Sequence, residues 1–438
     1  MKCLIIAAGK GSRLRFKGNS KPLIPILGVP IIERVIRSAM KAGVDSFHIV
    51  TGCNGEKVRS FLDSLANDLG VEIKDVINDD WEKGNGISVL KAKECLRDEK
   101  FLLLMADHML DPSILRDLAE SPIGEDEISL AVDFNTSNPL VDMDDVTRVN
   151  CSNGRVDEIG KGISEFNGFD TGIFLCTPAI FNALENIYND NGDASLSDGI
   201  RNIAVKGKVN AFNIGKRFWL DVDDPNALKK AEDALINQIK GKPGDGPVSR
   251  YLNRHISVRL SRMMLDSSVT PNQISFFSFI LSVVAAIFFT MQGYWALATG
   301  AVLAQAASVI DGCDGEVARL KYLESDYGGW FDAVLDRYAD AFLLFGLTWH
   351  SYLSSGNHFD IFIGFMAIIG SFMLSYTADK YDGLMKARFE KGRGFRIGRD
   401  VRVFIIFIGA LLNQAYLTLL IIAVLMNAET VRRVVVSR

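Results

Sequence analysis

The sequence contains 438 residues, which is more than one hydrophobic core usually serves, so two or three domains are expected. The formal net charge is -5, whereas general nucleic-acid-binding proteins usually carry an excess of positive charge. No nucleic-acid partner is therefore predicted. The six cysteines form no C-x-x-C pair and no Cys/His cluster, which is typical of reduced thiols in a cytosolic domain.

The first half of the chain alternates between strand and helix patterns. Short apolar runs at Cys3–Ala8, Phe47–Thr51 and Phe101–Met105 predict strands, and the helical spacing of Ile31–Ala42 and Val58–Leu69 predicts helices. This alternation predicts a Rossmann-like α/β domain over residues 1–240, with a mostly parallel sheet. Ligands are then expected at the carboxyl ends of the strands.

A glycine- and proline-rich segment, residues 241–247, predicts a linker. Residues 248–265 then carry four arginines among apolar side chains. This pattern favours an amphipathic helix lying on an anionic membrane surface. An ordinary surface helix is the alternative, and the apolar sequence that follows argues against it.

Long uncharged runs fill the rest of the chain and predict a six-helix, all-α transmembrane domain over residues 266–438. The 39 uncharged residues of 272–310 suffice for two spans of roughly 20 residues each. A third span is predicted at 330–353 and a fourth at 361–378. The uncharged run 403–428 is interpreted as parts of two spans that meet in a bend at Asn413-Gln414. The fifth span would begin before this run, near Phe395.

Lysine and arginine cluster before the first span, after the second, between the fourth and fifth, and at the C-terminus. The positive-inside rule therefore predicts a multi-pass protein of the cell membrane, with both termini and the soluble domain in the cytoplasm.

Acidic side chains in or beside the second and third spans are the strongest functional signal, because carboxylates within a membrane are costly. They are Asp311, Asp314, Glu316, Asp332, Asp336 and Asp340. Their i, i+3 and i, i+4 spacings place carboxylates together on helix faces, which suits hard divalent cations. Salt bridges to Arg319 and Arg337 are one alternative, but two arginines do not balance so many carboxylates. A proton relay in a transporter is another, but it needs no glycines at fixed positions.

The glycines complete a longer pattern, D-x-x-D-G-x-x-A-R, eight residues, then G-x-x-x-D-x-x-x-D. It is filled by Asp311, Asp314, Gly315, Ala318, Arg319, Gly328, Asp332 and Asp336. The pattern resembles the signature of the CDP-alcohol phosphotransferase family over about residues 250–438. The resemblance implies that the four aspartates hold two Mg²⁺ ions, with Mn²⁺ as an alternative, and that Asp336 is the general base on the acceptor hydroxyl. Gly315, Ala318 and Gly328 would give the nucleotide room, and Arg319 would pair with a phosphate.

Three basic residues near the predicted cytoplasmic ends of spans four and five are candidates for an acceptor phosphate: Lys380, Arg399 and Arg402. Guanidinium groups suit a phosphate monoester, and Arg399 and Arg402 share a helix face. For Lys380, contact with a lipid headgroup or a role in topology is an equal alternative.

The first predicted strand is followed by Ala7-Ala-Gly9-Lys-Gly11-Ser12-Arg13, and Lys21-Pro-Leu comes soon after. A glycine loop after a strand can hold phosphates with its N–H groups. Here the third glycine of a dinucleotide fingerprint and the G-K-[ST] of a Walker loop are both absent. The pattern resembles the nucleotidyltransferases that activate sugar phosphates, over about residues 1–235. The resemblance implies that Arg13 and Lys21 bind the triphosphate.

The same resemblance assigns further residues of this site. Asp107, directly after a buried strand, would bind at least one metal ion together with either Asp221 or Asp223. Glu82 and Asn85 would lie near the base and ribose. Lys161 and Asp170 are candidates for the second substrate, although a solvated lysine and a turn-capping aspartate are nearly equal alternatives.

A cytidylyltransferase makes a CDP-alcohol, and the membrane half uses one. The fusion resembles the bifunctional inositol-1-phosphate cytidylyltransferases and di-inositol-phosphate phosphate synthases. That resemblance implies CTP, inositol-1-phosphate and a CDP-alcohol as substrates. It also implies that the protein lies in a lipid bilayer, and a homodimer is possible. One alternative is a phospholipid-synthesising enzyme with a differently specific soluble half. Another is a soluble half that only binds, which the intact Arg13, Lys21 and Asp107 argue against.

Overall fold

The computed structural model describes residues 1–17, 20–239, 246–386 and 398–436. The chain divides into two compact units, Met1–Ala234 and Leu235–Arg438. Most of the predicted linker, residues 241–245, lies outside the described residues. The six cysteines are free thiols, in agreement with the sequence prediction.

The first unit is an α/β domain. Its strands are β1 (Lys2–Ala7), β2 (Pro25–Ile26), β3 (Val29–Pro30), β4 (Ser46–Thr51), β5 (Glu72–Ile77), β6 (Phe101–Met105), β7 (His108–Leu110), β8 (Ile128–Asp133), β9 (Arg148–Ser152), β10 (Arg155–Gly160), β11 (Gly168–Cys176), β12 (Val209–Asn213) and β13 (Trp219–Asp221). Its helices are α1 (Ile31–Lys41), α2 (Gly55–Leu69), α3 (Asn85–Lys91), α4 (Lys93–Leu96), α5 (Pro112–Glu120), α6 (Ala179–Asn191), α7 (Leu196–Ala204) and α8 (Pro225–Ile239), the last of which crosses the boundary between the units.

The central sheet has nine strands in the order β5-β4-β1-β6-β11-β8-β12-β10-β9. The first four are parallel, as predicted, but β11 runs antiparallel to β6 and β8, and β9 and β10 form an antiparallel hairpin. Strand β12 pairs parallel with β8, so β10 and β11 are the two strands of this sheet that run against the other seven. The sheet is therefore mixed, and the prediction of a mostly parallel sheet did not include these two reversed strands. Asn153 and Gly154 both have positive φ between β9 and β10, and Asn-Gly is a strong signal for a tight hairpin.

The first four strands position the glycine loop that follows β1. Strand β1 pairs with β6 so that Ile6 lies opposite Met105, and the N–H of Ala106 donates to the carbonyl of Ile6 at 3.1 Å. The loop after β1 and the residues after β6 therefore begin side by side at the same edge of the sheet. Buried apolar side chains of one core cluster, such as Leu4 on β1 and its neighbour Leu103 on β6, fix these strands in the core.

The second unit is helical. A π-helical turn at Ser249–Asn253 leads into α9 (Arg254–Leu265), α10 (Pro271–Thr290), α11 (Tyr294–Lys321), α12 (Asp326–Ser355), α13 (His358–Lys386), α14 (Arg399–Leu411) and α15 (Ala415–Val436). Among the described residues, four helices are long and apolar enough to cross a membrane: Pro271–Thr290, Tyr294–Lys321, His358–Ala378 and Ala415–Val435. Helix α12 carries charged side chains in its first half, and α14 is short within the described range.

The predicted breaks between helices agree with the structure at two positions. Helix α10 ends at Thr290 and α11 begins at Tyr294, so the uncharged run 272–310 is divided between two helices, as predicted. The chain also turns between α14 and α15, where Asn413 has a φ of 55°. The predicted start of the fifth span near Phe395 falls outside the described residues.

A buried ionic contact holds α9 against α11. Glu316 is fully buried, and its carboxylate accepts from Nη1 of Arg254 and from the hydroxyls of Ser257 and Ser261, each at 2.6 Å. All three donors belong to α9, whereas Glu316 lies two residues beyond Asp314 on α11. Because a buried carboxylate needs this many donors, the contact fixes the rotation of α9 about its own axis.

Replacing Glu316 should therefore destabilise the second unit. Glu316→Ala leaves the Arg254 guanidinium buried without its carboxylate, at a cost of about 3 kcal/mol. The thermal midpoint of the purified protein in detergent should fall by about 5 °C or more. Glu324→Ala, an exposed carboxylate just beyond α11, is the matched control and should leave the midpoint nearly unchanged. Equal midpoints for the two variants would contradict the anchoring role.

Candidate active sites

The loop after β1 lines a cavity of about 320 Å³ in the first unit, together with Lys21, Asp107 and Asp223. The predicted loop residues Ala7, Gly9, Gly11, Ser12 and Arg13 all contribute to its wall. Gly11 has a φ of 56°, and a Cβ there would lie 2.3 Å from Cβ of Lys21. Only glycine lets the stem of Lys21 pass so close to the loop.

Lys21 lies between two carboxylates of this cavity. Its Nζ donates to Oδ2 of Asp107 at 2.5 Å and also to Oδ1 of Asp223. Burial alone would lower the pKa of Lys21, but the surrounding aspartates outweigh it and hold that pKa above its usual value. Burial likewise would raise the pKa of Asp107, but Lys21 and His108 hold it well below its usual range. Lys21 and Asp107 therefore form an ion pair at neutral pH.

A short two-stranded sheet brings the segment that contains Asp221 and Asp223 beside Asp107. Strand β13 pairs antiparallel with β7, so Asp221 lies opposite His108, and the N–H of Val222 donates to the carbonyl of Asp107. One ligand atom each from Asp107, His108 and Asp221 lies within 4.8 Å of the others, close enough for these residues to share a metal ion. Asp223 contacts Lys21 instead, so the two candidates named by the sequence occupy different positions around Asp107.

His108 is a member of this cluster that the sequence analysis did not identify. Its Nδ1 lies 2.8 Å from Oδ1 of Asp107, and its ring stacks on Trp219 with centroids 6.4 Å apart. Although burial opposes protonation, Asp221 and Asp107 raise the pKa of His108 to about 9. Burial raises the pKa of Asp221 to about 7. The only signal for His108 in the sequence was its position next to Asp107.

A second cavity, of about 830 Å³, adjoins the first through the shared residues Asp107 and Asp223. Asn85, Lys161 and Asp170 line it, as does Asp145 from the loop between β8 and β9. Burial raises the pKa of Asp170 to about 6. The Oδ1 of Asn85 accepts from the N–H of Leu196 at 2.8 Å, whereas Glu82 is exposed in the turn before α3 and lines neither cavity.

Asp145 connects the two predicted phosphate-binding cations. One oxygen accepts from Nη1 of Arg13, and the other accepts from Nζ of Lys161 at 2.5 Å. Hydrogen bonds from Arg13 and Lys161 lower the pKa of Asp145 to about 2. No local motif marks Asp145, so sequence reasoning missed it.

In the second unit, the motif carboxylates converge from two helices. Asp311 lies on α11, while Asp332 and Asp336 lie one turn apart on α12, and one oxygen of each lies within 4.8 Å of the others. Oxygen donors in this number and spacing fit a hard divalent cation. Asp314, the fourth motif aspartate, lies one turn beyond Asp311 on α11.

Serines of α10 support these aspartates. The hydroxyl of Ser278 donates to Asp311 at 2.9 Å, and that of Ser275 donates to Asp314 at 2.5 Å. Helix α10 packs against both α11 and α12, so its hydroxyls fix the direction in which the carboxylates point. Serines in an apolar helix are common, and the sequence analysis did not single them out.

The remaining motif residues lie on the same two helices. Gly315, Ala318 and Arg319 follow Asp314 on α11, and Gly328 lies in the first turn of α12. A Cβ at Gly315 would lie 3.0 Å from Nη1 of Arg319, and one at Gly328 would lie 3.1 Å from Oγ of Ser325. Both positions are thus tight for any side chain.

The predicted acceptor-binding arginines contact the acidic cluster. Nη1 of Arg399 lies 2.7 Å from Oδ2 of Asp311 and 2.5 Å from Oδ1 of Asp336. Nη2 of Arg402 lies 2.5 Å from Oδ2 of Asp340. The side chain of Lys380 lies outside the described residues.

Comparisons with known proteins identify a family for a segment of each unit. Residues 3–152 match the family described as MobA-like NTP transferase domain, and residues 268–431 match the family described as CDP-alcohol phosphatidyltransferase. The chain is 35% identical over 436 residues to the bifunctional IPC transferase and DIPP synthase of Rubrobacter xylanophilus, covering 98% of this chain and 94% of the relative.

The chain belongs to the family of bifunctional IPC transferases and DIPP synthases. The member of this family from Aquifex aeolicus is 31% identical, over 98% of this chain and 96% of its own length. Among solved structures, the inositol-1-phosphate CTP transferase from T. maritima is 30% identical, covers 53% of this chain and 93% of its own, and superposes with a TM-score of 0.48.

The contacts of Asp145 generate a test of the nucleotide site. Phosphate binding by Arg13, which the sequence resemblance implies, would require Arg13 to leave Asp145, so Asp145→Asn should increase the affinity for CTP severalfold, measured by calorimetry in the presence of Mg²⁺. Asp144→Asn, which removes an exposed carboxylate from the same loop, is the control and should leave the affinity unchanged. Weaker CTP binding by Asp145→Asn would mean that this carboxylate assists the substrate instead of competing with it.

Proposed function

We propose that the first unit joins CTP and inositol-1-phosphate to give CDP-inositol and pyrophosphate, and that the second unit transfers phosphoinositol from CDP-inositol to a second inositol-1-phosphate, releasing CMP. The observation that carries this proposal is that one chain holds both sets of side chains. The first set suits the making of a CDP-alcohol and the second suits its use. The near full-length likeness to the bifunctional relatives supports the pairing of these two activities.

In the first unit, an oxygen of the polyol phosphate attacks the α-phosphorus of CTP, and pyrophosphate leaves. The N–H groups of the loop at Gly9–Arg13 and the side chains of Arg13 and Lys21 balance the triphosphate charge. The larger cavity takes the second substrate, with Lys161 on its phosphate and Asp170 on a hydroxyl. Asp107 lies where the two cavities meet and therefore beside the reacting phosphates.

Carboxylate oxygens in both units fit divalent metal ions, and we infer Mg²⁺, with Mn²⁺ as a substitute. At least one ion would be held in the first unit by Asp107 with Asp221 or Asp223. Two would be held in the second unit by Asp311, Asp314, Asp332 and Asp336. Such ions neutralise phosphate charge and polarise the phosphorus that is attacked.

In the second unit, a hydroxyl of the acceptor attacks the phosphorus that bears the inositol group. The bond to the CMP oxygen breaks, and the hydroxyl proton passes to Asp336. Asp336 fits this role because it is the last aspartate of the motif. It also lies 2.5 Å from the guanidinium of Arg399, which is assigned to the acceptor. Arg319 would pair with a phosphate of the donor, and Gly315, Ala318 and Gly328 would admit the nucleotide.

The acceptor phosphate is assigned to the basic residues of α13 and α14. Arg399 supplies the guanidinium beside the carboxylates, Arg402 lies one turn further along α14, and Lys380 is retained as a candidate. This charge favours a phosphorylated acceptor over the lipid alcohol of a phospholipid-synthesising enzyme.

The protein is membrane-associated, and we propose six spans, with α12 and α14 as the third and fifth. Both termini and the first unit would then lie in the cytoplasm, where CTP and the phosphorylated polyol are available. A homodimer remains part of the proposal, and the two sites do not depend on it.

The assignment of Asp336 predicts a selective loss of activity. Asp336→Asn should reduce CMP release from CDP-inositol by about 100-fold or more, because the general base is removed, while pyrophosphate release from CTP continues. Asp326→Asn, which removes an exposed carboxylate from the first turn of α12, is the matched control. Transfer at the wild-type rate by Asp336→Asn would overturn its role as the base.

The first unit should also work alone. Residues 1–240 should be soluble without detergent and should release pyrophosphate from CTP when given inositol-1-phosphate and Mg²⁺. Lys21→Ala and Asp107→Ala should each abolish this release in a folded fragment, measured beside circular dichroism.

Lys100→Ala provides the control for this fragment. Lys100 is exposed at the opposite end of β6 from Asp107, so its loss should not affect turnover. A folded wild-type fragment that turns over no nucleoside triphosphate with any phosphorylated polyol would mean that the first unit only binds.

A further inference from the structure

Asp340 lies one helical turn beyond Asp336 on α12 and outside the pattern of motif aspartates. Its side chain is only 4% exposed. Oδ2 accepts from Nη2 of Arg402 at 2.5 Å and from the hydroxyl of Ser371 at 3.0 Å, and Oδ1 lies 3.5 Å from Nε of Arg399. One carboxylate thus contacts both arginines of α14.

The two arginines play different parts in this arrangement. Arg402 is 4% exposed, and its Nη2 also donates to the hydroxyl of Ser375 at 3.3 Å. Arg402 is therefore buried between Asp340 and Ser375. Arg399 reaches Asp311 and Asp336 with Nη1, while its Nε faces Asp340. Of the two, only Arg399 contacts the motif carboxylates.

The contact with Asp340 does not compete with substrate or metal for the motif carboxylates. If Asp311 and Asp336 turned towards divalent cations, Arg399 would lose the partners of its Nη1 but would keep the Asp340 carboxylate 3.5 Å from its Nε, an ion-pair contact rather than a hydrogen bond. A guanidinium held at one edge presents its other donors in a fixed direction, which suits the oxygens of a phosphate monoester. Without Asp340, the same guanidinium would have no fixed edge.

We propose that Asp340 is a positioning residue that holds Arg399, with Arg402 behind it, for the phosphate of the acceptor. This inference rests on the proposed function, because it requires an acceptor that carries a phosphate. It assigns direct contact with the acceptor to Arg399 and a supporting part to Arg402 and Asp340.

The test measures the transfer step of the full-length protein in detergent, with CDP-inositol supplied as donor and no CTP present, so that the first unit does not turn over. Asp340→Asn should raise the KM for inositol-1-phosphate by about 10-fold, in the range found when a residue that orients a ligand is replaced. The KM for CDP-inositol and the thermal stabilisation by Mg²⁺ with CDP-inositol should stay near the wild-type values, because neither involves Asp340. Asp340→Glu, which retains the charge, should recover part of the acceptor affinity.

Asp360→Asn is the matched control for a purely structural effect. Asp360 is also a buried carboxylate of this unit, 2% exposed, but it accepts from the hydroxyls of Ser351 and Ser355 and, among the described residues, from no arginine. A change in acceptor KM that Asp360→Asn reproduces, or an equal change in the donor KM, would overturn the positioning role. If the wild-type protein transfers only to acceptors without a phosphate, the proposed function fails and this inference fails with it. If the wild type uses inositol-1-phosphate and Asp340→Asn leaves its KM unchanged, this inference alone fails.

Discussion

Carboxylates that lie close together in a partly buried site repel one another unless a positive charge lies between them. Both units of this chain are arranged around that constraint. In the first unit, the ammonium of Lys21 lies between Asp107 and Asp223. In the second, the guanidinium of Arg399 lies between Asp311 and Asp336. In each case the cation belongs to the protein and is a residue assigned to a substrate phosphate, so it has a partner both before and after the substrate arrives.

The two folds bring carboxylates together in different ways. In the first unit, a parallel strand ends just before Asp107, and the antiparallel pairing of β7 with the distant β13 brings the later segment beside it. In the second, helical periodicity aligns Asp332 with Asp336, and the packing of α10 against both α11 and α12 brings Asp311 beside them. The serines of α10 then orient the side chains. A sheet edge needs a long-range contact to assemble such a site, whereas two consecutive helices need only the correct rotation relative to each other.

This difference explains what sequence reasoning could predict. Strand β6 has the predicted bounds of Phe101–Met105, because a continuous apolar run bounded by charged residues is unambiguous. The acidic cluster on α11 and α12 was predictable, since i, i+3 and i, i+4 spacing is a local property. The reversed direction of β10 and β11 was not, because strand direction depends on connections that local periodicity does not report. Likewise, Asp145 meets Arg13 from 132 residues away, and no pattern along the chain records that contact.

Exposure decides what a carboxylate beside a cation can do. Asp145 lies on a loop with 24% of its side chain exposed, and its partners Arg13 and Lys161 are 57% and 63% exposed. Water can solvate all three groups, so a phosphate can displace the carboxylate at little cost. Asp340 and Arg402 are each 5% exposed, and separating them would leave two buried charges without partners. The first contact is therefore suited to exchange with substrate and the second to holding its partners in place, although the two pairs use the same chemical groups.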